Sequence, residues 1–145
     1  MITKDRDLRQ LHHEALQRHA RARVDDIDEL RAAKQAADRG LPQRDIAELL
    51  ATSQPRVHRM LKALERGGGE VPVTPEEVIL RAVAYDTDRA DMVEELTRFV
   101  YTFVEDAPYP FEGRMPGTWD QVVKALATEM ITREEFEKIR SAVGR

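Results

Sequence analysis

A run of three glycines at positions 67–69 divides this chain in two. Glycine loses more conformational freedom on ordering than any other residue, so three in succession do not hold a helix. On both sides of the run, Leu, Ile, Val and Ala recur at helical spacing. We therefore predict one module over residues 1–66 and a second over residues 74–145, joined by a glycine-rich linker at 67–73.

The two modules differ in charge and in aromatic content. Residues 1–66 hold 14 Lys and Arg against 11 Asp and Glu, a net charge of +3, whereas residues 67–145 hold 9 against 16, a net charge of −7. All eight aromatic residues lie after residue 84. We expect the first module to be a small, closely packed helical unit and the second to bury large side chains.

Helical patterns account for the whole chain. Capping signals are strong at Thr74, Thr118 and Thr132, each followed by an acidic residue within three positions. Residues 99–104 alternate like a strand, but their apolar spacing extends backwards to Val93, which favours helix. The sequence predicts helices over about 4–22, 25–39, 75–85, 88–104, 118–130 and 132–143, with two further helices beginning near Pro42 and Gln54.

Several function classes are excluded or disfavoured. The chain has no cysteine, which rules out disulfide scaffolds and thiolate chemistry. No run approaches the roughly 20 apolar residues of a membrane span, and the start lacks a secretory signal, so we expect a cytoplasmic protein without a membrane partner. His13-Glu14 begins like a zinc protease helix, but residue 17 is Gln, so no metal site is expected. Nothing supplies a nucleophile or a phosphate loop, and we predict neither enzymatic activity nor a cofactor.

The stretch from Leu41 to Lys62 carries the functional information. Its pattern is a short helix, a tight turn at residues 51–53 and a second helix, which we predict Ser53 to cap. Two helices that cross at about 90 to 120° approach closely only over a small side chain, and Ala47 supplies one. The inward residues are Ile46, Ala47 and Leu50 on the first helix and Val57, Met60 and Leu61 on the second.

These residues resemble the helix-turn-helix of prokaryotic repressors of the phage repressor/Cro type and of many antitoxins, over about residues 24–66. The resemblance implies a helix-turn-helix that binds double-stranded DNA and says nothing of the rest of the chain. Together with the charge and aromatic content of the two modules, it leads us to predict an all-α protein, with an N-terminal helix-turn-helix module followed by an acidic, aromatic-rich helical module. Two positions depart from the usual pattern. Ala51 stands where such turns often have Gly, at a cost of about 1 kcal/mol in a left-handed conformation, and Pro42 stands where a Ser or Thr cap is common.

When the apolar residues of the second helix, residues 54–65, face inward, its outward face carries basic and amide side chains. Gln and Arg can each bind a purine through two hydrogen bonds in the major groove. We predict base contacts from Gln54, His58 and Arg59. We predict contacts to the DNA backbone from Gln43, Arg44, Thr52, Ser53, Arg56 and Lys62.

The sequence thus favours a transcriptional regulator, a dimeric repressor of bacterial or phage origin that binds a pseudo-palindromic operator. The acidic module at 74–145 is expected to dimerise or to bind a protein partner, with the aromatic-flanked loop at 105–117 as a candidate surface. One alternative is an antitoxin that represses its own operon and neutralises a toxin through the acidic module. Others are a phage packaging or assembly protein, and a regulator whose second module also contacts DNA.

Overall fold

A computed structural model of the protein describes residues 5–106, 114–115 and 117–145. Within them the chain forms seven α-helices and one antiparallel pair of two-residue strands, so the predicted all-α class is confirmed. The helices are α1 (Arg6–Asp38), α2 (Gln43–Leu49), α3 (Gln54–Arg66), α4 (Pro75–Tyr85), α5 (Arg89–Arg98), α6 (Trp119–Ala127) and α7 (Arg133–Val143). The strands are β1 (Glu105–Asp106) and β2 (Arg114–Met115), with Glu105 opposite Met115.

Residue contacts divide the chain into two compact units. Residues 22–72 form the central unit, and the described residues up to Arg21 belong with those from Val73 onward, which we call the larger unit. The boundary predicted from the sequence instead puts residues 1–66 in one module. The difference lies in the first half of α1, where Ala20 is fully buried and an Nη of Arg21 donates to the carbonyl of Ala84. Apolar spacing marks the buried stripe of a helix but does not say which unit covers it.

The helix α1 is continuous over 33 residues, so the prediction of two helices broken near residue 23 is wrong. No Gly or Pro lies between Arg6 and Asp38, and the fully buried Val24 falls within the predicted gap. Gly40 then ends the helix as predicted. With φ at 83° it lets the amide of Leu41 donate back to the carbonyl of Ala36.

The core of the central unit joins the end of α1 to α2 and α3. Its buried members are Ala33, Ala36, Ile46, Ala47 and Val57. Leu41, Leu50, Met60 and Leu61 pack against them from the edge. Small side chains at the helix crossings let α2, α3 and the end of α1 approach closely without any aromatic residue, which is the kind of core expected from the composition.

The core of the larger unit is built on α4, eight of whose eleven residues are buried, and on Trp119. The ring of Trp119 lies 5.0 Å from that of Tyr101 in an edge-to-face arrangement and 5.8 Å from that of Phe136. Trp119 is 8% exposed, so it fills the interior rather than a surface. Tyr109 and Phe111, the other aromatic residues of the predicted surface loop, lie outside the described residues.

Two of the three caps predicted at threonines form. Thr74 accepts from the amide of Glu77, and Thr132 and Glu135 form both halves of a capping box. Glu135 is also bound by Arg89 across the unit, with Nη2 to Oε1 at 2.7 Å. Burial acts to raise the pKa of Glu135, but hydrogen bonds from Arg89 and from the Thr132 amide outweigh it and lower the pKa.

The segment 99–104 is not helical, so the prediction that α5 continues to residue 104 is wrong. The helix ends at Arg98, and Phe99 has φ −66° and ψ 140°. Thr102 and Thr118 exchange hydrogen bonds, each amide donating to the other hydroxyl at 2.9 Å. This pairing also takes the Thr118 side chain away from the start of α6, which it was predicted to cap.

Candidate nucleic-acid interface

The turn between α2 and α3 is built from backbone hydrogen bonds at the end of α2. The amide of Thr52 donates to the carbonyl of Ala47, and the amide of Ala51 to that of Glu48. This is the Schellman arrangement, which places the residue after the helix cap in a left-handed conformation. Ala51 is that residue, with φ at 55°, as the sequence predicted. The tight turn fixes the angle at which α3 leaves α2.

The first turn of α3 leaves few amides available to an anion. Ser53 caps the helix as predicted, its hydroxyl accepting from the amide of Arg56 at 3.3 Å. Pro55 has no amide hydrogen, so the amide of Gln54 is the one of the first three that remains for a ligand. By contrast Pro42 begins α2 with no side-chain cap. Phosphate binding at this helix start is therefore limited to one backbone donor and nearby side chains.

The face of α3 opposite the core is polar and exposed. Val57 is fully buried, and Met60 and Leu61 pack against the core. The exposed side chains of α3 that the sequence assigned to DNA are Gln54, His58, Arg59 and Lys62. Gln54, His58 and Lys62 stand one turn apart in a single row, and Arg59 flanks it. We call this exposed row with Arg59 the recognition face.

A contact between α2 and α3 orients one member of the recognition face. The side-chain amide of Gln43, at the start of α2, lies 3.3 Å from Nδ1 of His58. When the amide donates to Nδ1, the neutral imidazole carries its proton on Nε2. His58 then presents an N–H donor outward, suited to a guanine acceptor or a phosphate oxygen.

The cations of this region differ in how freely they can reach a ligand. Arg59 has no hydrogen-bond or ion-pair partner among the described residues. Arg44 is 79% exposed with its nearest carboxylate, on Asp45, at 3.7 Å, and Lys62 lies 3.6 Å from Glu65. Exposed contacts at such distances contribute little and are readily exchanged for a phosphate.

Arg56 is held differently from the other cations. Its Nε donates to Glu29 at 2.6 Å and its Nη2 to Asp26 at 3.3 Å, both on α1. Glu29 is only 26% exposed, so the stronger of the two bonds is partly shielded from water. The bond to Glu29 and its charge raise the pKa of Arg56 above the ordinary value. Of the nine predicted DNA-contacting residues, seven are thus exposed on α2, the turn or α3, Thr52 is half-buried, and Arg56 is bound to α1.

Residues 35–68 match the family model described as winged helix-turn-helix DNA-binding. The segment from α2 through α3 is accordingly a helix-turn-helix of the DNA-binding class. The match ends with α3, and no strand follows that helix between residues 67 and 104, all of which the structure describes. No curated protein and no solved structure matches the chain.

Two contacts of the interface were missed by the sequence analysis. Gln43 and His58 are 15 residues apart, and Arg56 and Glu29 are 27 apart. The sequence feature that could have indicated the contact of Arg56 with Glu29 is a pair of carboxylates, Asp26 and Glu29, three residues apart on one helix face. Such a pair is common on solvated helices, so it does not by itself point to a partner.

The described part of the chain shows neither a metal site nor a helix that could span a membrane. No group of three His, Asp or Glu residues there could hold a metal ion. His12 and His13 of α1 instead face carboxylates of the larger unit, with Nε2 of His12 at 3.1 Å from Glu129 and Nε2 of His13 at 3.9 Å from Asp86. Among the described helices, none is both long enough and apolar enough to cross a membrane.

Proposed function

We propose that the protein is a sequence-specific transcriptional regulator, a dimeric repressor that binds a pseudo-palindromic operator through α3. The observation that carries the proposal is the recognition face. Three side chains with base-binding chemistry, Gln54, His58 and Arg59, are exposed on a helix whose other side is fixed in a helix-turn-helix core. In this class of motif the second helix lies in the major groove with its amino-terminal residues against the base edges.

The chemistry of the recognition face suits purines. Gln54 can donate to N7 and accept from N6 of adenine, and Arg59 can donate to O6 and N7 of guanine. His58, with its proton on Nε2, can donate to N7 of a purine in the same groove. Arg59 is the strongest candidate, because it has no partner within the described protein to compete with a base.

The remaining side chains suit the DNA backbone. Gln43 and Arg44 begin α2, the helix that crosses the backbone in such motifs, while Thr52 and Ser53 flank the turn. Lys62 continues the exposed row of α3 towards the next phosphates. Contacts of this kind fix the orientation of the protein on the duplex but carry no sequence information directly.

A dimer is proposed because one recognition helix covers only a few base pairs. The surfaces that support it lie outside the central unit. Residues 67–145 carry a net charge of −7, which keeps them away from the duplex and leaves them for a second copy or a protein partner. Leu8 and Leu11 on the first turns of α1 are 52% and 58% exposed and offer a second candidate. A regulator of this kind acts in the cytoplasm of a bacterium, on its own genome or on that of a phage.

Substitution of the recognition face tests the proposal. Arg59→Ala and Gln54→Ala should each weaken binding to the preferred DNA by about 1 to 3 kcal/mol, the discrimination that a two-bond base contact provides, and weaken binding to random DNA less. Arg66→Ala, which removes an exposed cation from the far end of the same helix, is the matched control. Unchanged sequence preference in both recognition-face variants would exclude α3 as the element that contacts the bases.

A further inference from the structure

We propose that Arg56 is a positioning residue, which fixes the amino end of α3 to α1 and thereby sets how the recognition face meets the bases, rather than a phosphate contact. This inference rests on the proposed function, since it concerns how the same helix-turn-helix achieves sequence preference. It departs from the role in DNA-backbone contact that the sequence suggested for Arg56.

The first argument is the strength and arrangement of the contact. The guanidinium uses Nε for Glu29 at 2.6 Å and Nη2 for Asp26 at 3.3 Å. Asp26 and Glu29 lie one turn apart on one face of α1, so two points on one helix hold one side chain. Bonds from a guanidinium to two carboxylates are charge-assisted and directional, and they fix its position more firmly than a single contact does.

The second argument is where on α3 this side chain stands. Arg56 is the third residue of the helix, and its own amide is already bound to the hydroxyl of Ser53. The main chain of Arg56 is therefore bonded to the turn, and its side chain is bonded to α1. Gln54 and His58, two residues before and two residues after Arg56 on the same helix, belong to the recognition face. A shift of this helix start would therefore displace the groups that meet the bases.

The third argument is electrostatic. Two carboxylates and one guanidinium leave the cluster of Asp26, Glu29 and Arg56 with a net charge of −1. Such a cluster repels a phosphate, whereas an unpaired cation attracts one. Arg59, Arg44 and Lys62 have no comparably short ion pair and are the cations that remain for the DNA.

The test compares Arg56→Gln, Glu29→Gln and the double variant in the full chain. For each, dissociation constants for the DNA selected by the wild type and for random DNA are measured over a range of salt concentrations. A positioning role predicts that both single variants lower the ratio of selected to random affinity by about two- to fivefold, the effect of a partly exposed ion pair. The double variant should lose no more than the worse single variant, because both substitutions break one contact.

The salt dependence separates positioning from phosphate contact. With positioning, the slope of log affinity against log salt is the same in Arg56→Gln as in the wild type. A phosphate contact predicts a slope smaller by about one, with selected and random affinities falling alike. It also predicts that Glu29→Gln, which frees the guanidinium, raises both affinities and leaves their ratio unchanged. Either of these results would overturn the proposal.

Matched controls correct for charge. Asp25→Asn removes a carboxylate from the same helix, and Arg66→Gln a cation from the same recognition helix, without touching the cluster. Both should leave the ratio of selected to random affinity unchanged.

Urea unfolding of the same set of variants shows whether Arg56 and Glu29 are coupled in the absence of DNA. If urea unfolding shows that Arg56 and Glu29 are coupled but the wild type prefers no DNA sequence, the proposed function fails, and the positioning role of Arg56 fails with it. A sequence-preferring wild type with an unchanged ratio in Glu29→Gln would defeat the positioning role alone.

Discussion

Arg56 in the first turn of α3 is bound through Nε to Glu29 of α1 at 2.6 Å, across 27 residues of sequence. The contact joins the helix that carries the recognition face to a helix outside the two-helix motif. Together with the packing of Ala33 and Ala36 against Val57 in one core, it makes α1 a structural part of the DNA-binding unit. The helix-turn-helix of this chain is thus supported on its inner side by a third helix.

The turn residue Ala51 stores strain that glycine would remove. With φ at 55°, Ala51 is in a left-handed conformation that costs a non-glycine residue about 1 to 2 kcal/mol. Glycine avoids this cost, but it makes the unfolded chain more flexible, which lowers stability by roughly 0.5 to 1 kcal/mol. We expect Ala51→Gly to raise the free energy of unfolding by about 0.5 to 1 kcal/mol. Urea unfolding followed by far-ultraviolet circular dichroism measures it.

The reverse change at Gly40 is the matched control. Gly40 has φ at 83° and no atom within 4 Å of an added Cβ, so Gly40→Ala tests the backbone conformation without a steric clash. We expect it to lower the free energy of unfolding by about 1 kcal/mol. A loss of stability in Ala51→Gly would show that the turn is not strained at this position.

Gly117 should tolerate no side chain. A Cβ at this position would lie 2.4 Å from the carbonyl oxygen of Thr102, whose segment is held by its exchange of hydrogen bonds with Thr118. We expect Gly117→Ala to lower the free energy of unfolding by about 1 to 3 kcal/mol, as overpacking does. The fluorescence of Trp119, the single tryptophan, reports unfolding beside the substituted residue.

Gly67→Ala is the control for that substitution. Its added Cβ would meet nothing closer than 3.5 Å, and its φ is −88°, which any residue adopts. It should cost far less than Gly117→Ala. Equal stability of the two variants would mean that the close approach of residues 102 and 117 does not constrain the fold.

Tyr101 contributes to the free energy of unfolding of the larger unit only while its phenol is protonated, so the contribution is lost at high pH. Its hydroxyl donates to the carbonyl of Leu96, and burial raises the pKa of Tyr101 from 10.0 to about 12. The fold favours the neutral phenol, so this contribution is complete below pH 10 and is lost as the pH rises through about 12. Tyrosinate absorbance should therefore include a late step that Tyr101→Phe removes.

Tyr85→Phe is the control for the alkaline titration. Tyr85 is 53% exposed, and its replacement should leave the late absorbance step in place. Stability measured in urea should fall over the same pH interval in the wild type and less in Tyr101→Phe. If the late absorbance step persists in Tyr101→Phe, the step belongs to another group and not to Tyr101.

The parts of the fold that were predicted from sequence are those decided by local chemistry. Ala47 at the helix crossing, Ser53 at the cap and Ala51 in the left-handed turn each act within a few residues, and each was predicted. The match of residues 35–68 to a DNA-binding family agrees with that prediction. The recognition face follows from the same periodicity, because burying Val57 leaves the opposite side of α3 exposed.

The parts that could not be predicted are decided by distant contacts. Residues 99–104 have apolar spacing compatible with a helix, but they are not helical, and Thr102 is instead bonded to Thr118, 16 residues away. The pairing of Arg56 with Glu29 likewise depends on how α1 lies against α3, which periodicity does not specify. The type of residue and its place on the helix therefore gave no sign of the ion-pair cluster that Arg56 forms with Glu29 and Asp26.

Selection of bound sequences from a random pool of double-stranded DNA by the full-length protein tests most directly whether α3 confers sequence preference. We predict an enriched motif with dyad symmetry, whose half-sites are centred about one helical turn, or a multiple of it, apart. The same selection with Arg59→Ala should lose preference at the corresponding base pair of each half-site. A pool without any enriched sequence, or a motif that Arg59→Ala and Gln54→Ala leave unaltered, would contradict the proposed function of α3.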